Sequence, residues 1–211
     1  MHVPDGFLSP QLTLPALAVA APLWAWAARR HFGRDATAAL PVVGVLTALA
    51  FVLQTIMIPV PGGTSTHLVG VTLLALLHHP LVAFVAESLV LLVQALVFGA
   101  GGVTVLGVNA LAMGLIGPLA GWLAWRALRP LSARAALFAA GWVSTQAASA
   151  AVAGVLALQH RLDPTYFPMP PAVTVTAMLV PSLAVAGVAE GLFTVFAHAL
   201  VRRTRLDAGQ P

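Results

Sequence analysis

The sequence predicts an all-α integral membrane protein: a bundle of about seven transmembrane helices, with the N-terminus outside and the C-terminus cytoplasmic. Three observations predict it: the composition, the apolar stretches of membrane length, and the placement of the arginines. Of the 211 residues, 60% are hydrophobic and only 8% are charged, whereas soluble domains carry about 25% charged residues. Mean hydropathy is +0.95. Such a chain cannot cover a water-facing surface, which excludes a soluble globular enzyme.

The apolar stretches define the predicted spans. A hydrocarbon core about 30 Å thick requires about 20 apolar residues of helix. Dividing the chain at its charges and at its Pro/Gly clusters predicts one transmembrane domain over residues 1–211, and the third of its spans is short. The predicted spans are about 11–29, 37–59, 66–79, 80–99, 104–126, 134–159 and 172–201.

The arginines predict the orientation. All ten basic residues are arginines. Apart from Arg161, they form three clusters. One follows the first predicted span, one lies between the fifth and the sixth, and one follows the seventh. With the N-terminus outside, seven spans bring every cluster to the cytoplasmic side and leave Arg161 outside, which is the positive-inside pattern. Six spans would divide the clusters between the two sides. We therefore expect a multi-pass protein of the cytoplasmic (inner) membrane. Its pI of about 11.4 reflects scarce acids and does not indicate a nucleic-acid partner.

The beginning of the chain does not resemble a signal peptide. A signal peptide starts with a basic region, but the first ten residues contain Asp5 and no arginine or lysine. We therefore expect the N-terminus to be retained and exported.

Four features are unusual for a plain helical bundle. Three are polar or glycine-rich segments assigned to the outer face, and the fourth is a pair of acids inside predicted spans. Irregular backbone at membrane depth is tolerated where it is buried in protein or lines a cavity, so the outer segments are expected to fold inward as a site. These features are residues 1–7, 60–67 and 98–104, and the pair Glu87 and Glu190.

A histidine at position 2 can chelate a metal ion together with the N-terminus. The α-amine of Met1, the deprotonated amide nitrogen of His2 and the imidazole Nδ1 of His2 close a five-membered and a six-membered ring, and His67 could supply a fourth nitrogen. A square-planar nitrogen site suits Ni(II) or Cu(II), and low-spin Co(II) is also reasonable. Zinc prefers a tetrahedron, and the chain has no cysteine.

Four motifs occur in order along the chain. They are M-H-V-P-D-G-F-L-S-P at 1–10, P-G-G-T-S-T-H-L-V-G at 61–70, Q-A-L-V-F-G-A-G-G-V-T-V-L-G-V-N at 94–109 and A-E-G-L-F-T at 189–194. Together they extend over nearly the whole chain, and they resemble one family, the substrate-binding (S) components of cobalt and nickel energy-coupling factor transporters (CbiM/NikM).

The resemblance implies a metal site formed by Met1, His2 and His67, with Ni(II) or Co(II) as the transported substrate. The N-terminal motif is more similar to the nickel branch, and square-planar nitrogen donors favour the same metal. The implied partners are a transmembrane coupling subunit, two cytoplasmic ATPases and a small accessory membrane subunit. Because the chain ends ten residues after Val201, the accessory subunit is expected to be separate.

Other polar residues have two interpretations each. Thr64, Ser65 and Asn109 could orient the imidazoles or satisfy loop backbone groups. Acids within spans suggest function, but we expect a structural role for Glu190, and Glu87 could extend toward the cytoplasmic surface.

The sequence departs from the family pattern at a few positions. Relatives often carry Asp where this chain has Ala100, a second Asn at Ala112 and Gly at His79. The first two departures concern support of the site rather than its ligands. The His79 departure has no explanation at the level of sequence, and we expect His78 and His79 to be interfacial rather than an exit relay for the ion.

Two alternative functions are compatible with a membrane protein of this composition. The chain has no lysine and therefore no Walker A motif, so ATP would be hydrolysed by partners and the chain itself is not expected to be an enzyme. A stand-alone carrier or channel could use Glu87 and Glu190. An intramembrane enzyme is the remoter alternative, because no serine lies in a nucleophile motif.

Overall fold

The computed structural model describes the backbone of residues 2–33, 40–56, 58–60 and 64–207, and their side chains except at 58–60, 64–66 and 204–207. This part of the chain forms seven helices and one short antiparallel hairpin. The helices are α1 (Pro10–His31), α2 (Leu40–Gln54), α3 (Thr72–Leu77), α4 (Pro80–Phe98), α5 (Leu106–Leu128), α6 (Ala133–Leu162) and α7 (Pro171–Arg203, with helical backbone continuing to Asp207). The hairpin pairs β1 (Ile58–Val60) with β2 (Thr64–Thr66).

Five of these helices are long and apolar enough to cross a bilayer. They are α1 and α4 to α7, with 19 to 33 residues each, and α2 is apolar but has only 15 residues. Large apolar side chains cover much of the outer surface, including Leu14, Val45 and Leu96, which are 63%, 69% and 67% exposed. An apolar surface of this extent suits contact with lipid. The predicted bundle of apolar helices is therefore observed, and the short hairpin is an element that the sequence analysis did not predict.

The third predicted span is wrong as a helix of membrane length. Within 66–79 only Thr72–Leu77 is helical, which is about 9 Å of helix. Gly70 has φ +77°, in the left-handed region that ends regular structure. Apolar composition predicted the span, but composition does not distinguish a buried irregular segment from a helix.

The segment nevertheless crosses the bundle. At one end the His67 ring contacts the His2 ring, close to the start of α1. At the other end the His79 ring stacks on His31, the last residue of α1, with centroids 4.6 Å apart. The described segment 67–79 therefore extends from the His2 end of the bundle to the end of α1, although only part of it is helical.

His79 also begins α4. Its Nδ1 accepts a hydrogen bond of 3.1 Å from the Leu81 N–H, which satisfies one of the free donors at the helix start. Pro80 follows as the first helical residue, a position that needs no N–H. The unexplained histidine is thus a helix cap.

The described arginines other than Arg161 lie at one end of the bundle, and which side of the membrane this end faces stays a prediction. Trp122, near the end of α5, faces His79, and α7 runs antiparallel to α6, with Gly191 against Phe138 and Gly187 beside Gln146. The ends of α1, α5 and α7 therefore coincide with the start of α6. The described arginines at this end are Arg29, Arg30, Arg126, Arg129, Arg134, Arg202 and Arg203; Arg161 lies near the opposite end.

Three π-helical turns interrupt the long helices: Gln94–Phe98 in α4, Ala110–Ile116 in α5 and Ser182–Ala186 in α7. Such turns occur often at functional sites. The turn in α5 begins directly after Asn109, which contacts the N-terminal segment described next.

Candidate metal centre

The N-terminal segment folds into the bundle and is bonded to α5. The Val3 N–H donates to Oδ1 of Asn109 at 3.0 Å, and Nδ2 of Asn109 donates to the Val3 carbonyl, also at 3.0 Å. Both residues are buried. Of the two interpretations of Asn109, the structure shows bonding to backbone groups, at Val3 next to His2.

Further hydrogen bonds hold the N-terminal segment at Asp5 and at Ser9. The Asp5 carboxylate accepts from the N–H groups of Val103 and Thr104 at 3.1 and 3.0 Å, and Gly102 lies so close that a side chain there would meet the carboxylate. Ser9, just before α1, donates from its N–H and its hydroxyl to Oε1 of Gln159, at 2.8 and 2.9 Å. The expected inward folding of the outer segments is observed for 2–9.

The two histidines singled out from the sequence meet inside the bundle. Their ring centroids are 4.6 Å apart and their planes are inclined by 34°, and His2 and His67 are only 6% and 2% exposed. Gly101 lies directly against His2, and its φ of +80° requires glycine. The 99–105 loop therefore packs against His2 at Gly101.

The protonation of both imidazoles suits ligation. Nδ1 of His67 lies 2.9 Å from the Leu68 carbonyl; because a carbonyl only accepts, Nδ1 carries the proton and Nε2 keeps its lone pair. Burial lowers the pKa of His2 to about 3, an effect that the neighbouring Gln54 side chain only partly opposes. Both Nε2 atoms are buried and have no hydrogen-bond partner among the described residues.

Glu190 holds the segment that carries His67. Its carboxylate accepts from the N–H groups of Val69 and Gly70, both at 2.9 Å. The left-handed backbone at Gly70 turns both N–H groups toward the carboxylate, and a Cβ there would lie 3.1 Å from Leu53. The glutamate therefore contacts the backbone near His67 rather than the imidazoles.

Gln54, at the end of α2, was not anticipated from the sequence. Its Nε2 donates to the Val69 carbonyl at 3.0 Å and to Oε2 of Glu87 at 2.8 Å, and its side chain is fully buried. A glutamine in the otherwise apolar run Leu40–Gln54 was the available signal, because an amide within a bilayer needs partners.

The remaining predicted residues are placed as follows. Met1 lies outside the described residues, and the side chains of Thr64 and Ser65 are likewise not described. Glu87 does not extend toward the cytoplasmic surface, because its side chain is fully buried and accepts a hydrogen bond from Gln54. Within the described part of the chain, no three His, Cys, Asp or Glu side chains lie close enough to share an ion. An ion between His2 and His67 would therefore need ligands that are not such side chains.

Comparison with known families shows where this arrangement belongs. Residues 2–208 match the CbiM family model, described as a cobalt uptake substrate-specific transmembrane region. The chain belongs to the CbiM family. A Methanocaldococcus jannaschii protein whose name describes metal transport is 36% identical to this CbiM-family chain over 209 residues, which cover 98% of the chain and 94% of the relative.

Two further relatives are longer. The fused nickel transport protein of Rhodobacter capsulatus is 34% identical over 228 residues, covering the whole chain and 64% of the relative. The cobalt transport protein of Geobacter sulfurreducens is 34% identical over 212 residues, 98% of the chain and 61% of the relative. The chain thus spans less than two thirds of these two proteins.

The fold is that of a solved transporter. The crystal structure of a truncated transition metal transporter superimposes with a TM-score of 0.92 at 33% identity, over 97% of this chain and 99% of that one. The resemblance drawn from the four motifs is confirmed.

Proposed function

We propose that this chain is the metal-binding membrane subunit of an ATP-driven importer for Ni(II) or Co(II), with nickel favoured. One observation carries the proposal: two buried, neutral imidazoles meet beside an N-terminal segment that α5 holds in place. The names of relatives that transport nickel and cobalt support it.

Four nitrogens would bind the ion: the α-amine of Met1, the amide and Nδ1 of His2, and Nε2 of His67. The chelate rings hold the first three in one plane, and the lone pair of Nε2 on His67 is available for the fourth position. Four nitrogens in a plane favour Ni(II) on geometry, and low-spin Co(II) can adopt the same arrangement.

The remainder of the importer would be supplied by partners: a transmembrane coupling subunit, two cytoplasmic ATPases and a small accessory membrane subunit. The chain has no lysine for a Walker A motif, and a relative is a fused nickel transport protein that extends beyond this chain. The arginine end of the bundle would face the cytoplasm by the positive-inside rule, so the metal site would open to the outside of the cytoplasmic membrane.

The test is the metal content of the purified chain with its native N-terminus and with one residue added before Met1. Both forms are exposed to equal Ni(II) and Co(II) and then washed. We expect one retained ion in the native chain and none in the extended chain, because an added residue converts the amine into an amide.

Two histidine substitutions test the role of His67, one at the site and one as its control. His67→Ala should lose the ion, whereas His198→Ala, at the far end of α7, should retain it. If native and extended chains bind equally, or neither binds, Met1 and His2 are not the site, and a stand-alone carrier built on Glu87 and Glu190 becomes the better explanation.

A further inference from the structure

The orientation of the Gln54 amide is determined by its neighbours. The atom 3.0 Å from the Val69 carbonyl must be the amide nitrogen, because a carbonyl oxygen cannot donate. The same nitrogen donates to Glu87 at 2.8 Å, so both of its hydrogens are used. A reversed amide would place an oxygen against two acceptors. The oxygen Oε1 therefore points away from Val69 and Glu87.

This oxygen and one imidazole nitrogen are both without partners. Oε1 of Gln54 and Nε2 of His2 are buried and have no partner at hydrogen-bond distance among the described residues, although the Gln54 side chain lies close enough to the His2 imidazole to raise its pKa against the effect of burial. Leaving a buried polar atom unbonded is unfavourable. Two such atoms on neighbouring side chains suggest a bond that forms in another state of the protein.

Metal binding would provide that state. When the amide nitrogen of His2 is a ligand, the six-membered ring requires Nδ1 as the imidazole donor, so the proton of the neutral ring must be on Nε2. Metal-bound histidines nearly always donate their second N–H to an oxygen, which sets the ring orientation. Oε1 of Gln54 is a buried oxygen that lacks a donor, on a side chain that interacts with the His2 imidazole.

We infer that Gln54 is a positioning residue, whose Oε1 accepts the Nε2–H of His2 and orients Nδ1 toward the ion. The inference rests on the proposed function. Because the same amide also bonds to Val69, two residues after His67, one side chain connects the two segments that bear the imidazoles. The spacing of His2 and His67 then depends on Gln54 being present.

The first test compares two glutamine variants. Gln54→Met keeps the length of the side chain and removes its polar atoms, and Gln146→Met makes the same change at a glutamine whose amide bonds to Ser182. We expect Gln54→Met to bind Ni(II) about 10–100-fold more weakly and with a shifted ligand-field absorption band. Gln146→Met should match the parent chain in both readouts.

A conservative variant separates positioning from packing. Gln54→Glu, when protonated, keeps a carbonyl oxygen for His2 and should recover much of the affinity and the parent absorption band. If Gln54→Met binds Ni(II) with parent affinity and an unchanged band, Gln54 does not position His2, although the metal site itself stands.

A second measurement needs no variant. Square-planar Ni(II) is diamagnetic, so ¹⁵N-histidine NMR of the Ni(II)-loaded parent chain can observe His2 directly. We expect an Nε2–H that exchanges slowly with water. A rapidly exchanging Nε2–H, or ligation through Nε2, overturns the inference. A chain that retains no Ni(II) at all contradicts the proposed function instead.

Discussion

Val3 and Asn109 exchange two hydrogen bonds of 3.0 Å across 106 residues of sequence. The asparagine amide thereby pairs with the backbone as a neighbouring strand would, and it holds the residue next to His2. A free chain terminus has large conformational entropy, so chelation by the terminus requires such contacts beforehand. If the terminus chelates the ion as proposed, Asn109 should contribute to metal affinity without touching the ion.

Asn109→Ala is expected to weaken metal binding and lower stability. Two buried backbone groups of Val3 lose their partner, at a cost of about 1–3 kcal/mol each. Nickel retention and thermal unfolding in detergent measure both effects. Ser144→Ala, at a buried serine of α6, is the control. Unchanged nickel affinity in Asn109→Ala would show that the N-terminal segment is held by its other contacts.

Gly102→Ala should loosen the same segment. A Cβ at Gly102 would collide with Asp5, whereas one at Gly154 would meet no atom within 4 Å. We expect the alanine at 102 to displace Asp5 from Val103 and Thr104 and to reduce nickel affinity, while Gly154→Ala leaves it unchanged. Equal affinities, measured by competition with a chelator, would argue against a role for this contact.

Glu190→Gln should reduce stability more than metal stoichiometry. The carboxylate receives two N–H groups, from Val69 and Gly70, and an amide in its place turns an NH₂ group toward at least one of them. The expected loss is about 1–3 kcal/mol, read from thermal unfolding of the metal-free chain, with one ion still bound on loading. Loss of the ion at unchanged stability would instead make Glu190 part of the binding chemistry.

Nickel itself should stabilise the fold. A ligand at 100 times its Kd raises the free energy of unfolding by about 2.7 kcal/mol when it binds only the folded state. Adding Ni(II) is therefore expected to raise the Tm of the native chain, and adding a chelator should reverse the rise. The chain with one residue before Met1 should show neither response; an equal rise in that chain would point to metal bound elsewhere.

His79→Ala should affect α4 and leave metal binding intact. Removing the acceptor for the Leu81 N–H costs about 0.5–2 kcal/mol, while His79→Asn, which can cap the helix in the same way, should cost less. Thermal unfolding and nickel retention separate the two interpretations of this residue. Slower nickel release into the cytoplasm at unchanged stability would support an exit relay.

Some properties of this protein follow from short stretches of sequence. Partition into a bilayer depends on composition over about 20 residues, and orientation depends on the arginines near each span. The proposed chelate would depend on even less, because its rings would close within Met1 and His2. The membrane class could be predicted because its physical cause is local; the orientation and the chelate, whose causes are equally local, stay predictions.

Only the tertiary structure decided how the site is supported. Asn109 on Val3, Glu190 on Val69 and Gly70, and Gln54 between Val69 and Glu87 join elements that lie 15 to 121 residues apart. The non-helical backbone before α3 also depends on a distant residue. The N–H groups of Val69 and Gly70 bond to Glu190 rather than within a helix. Hydropathy reports how apolar a segment is, but the partners of buried polar groups are set by which helices pack together.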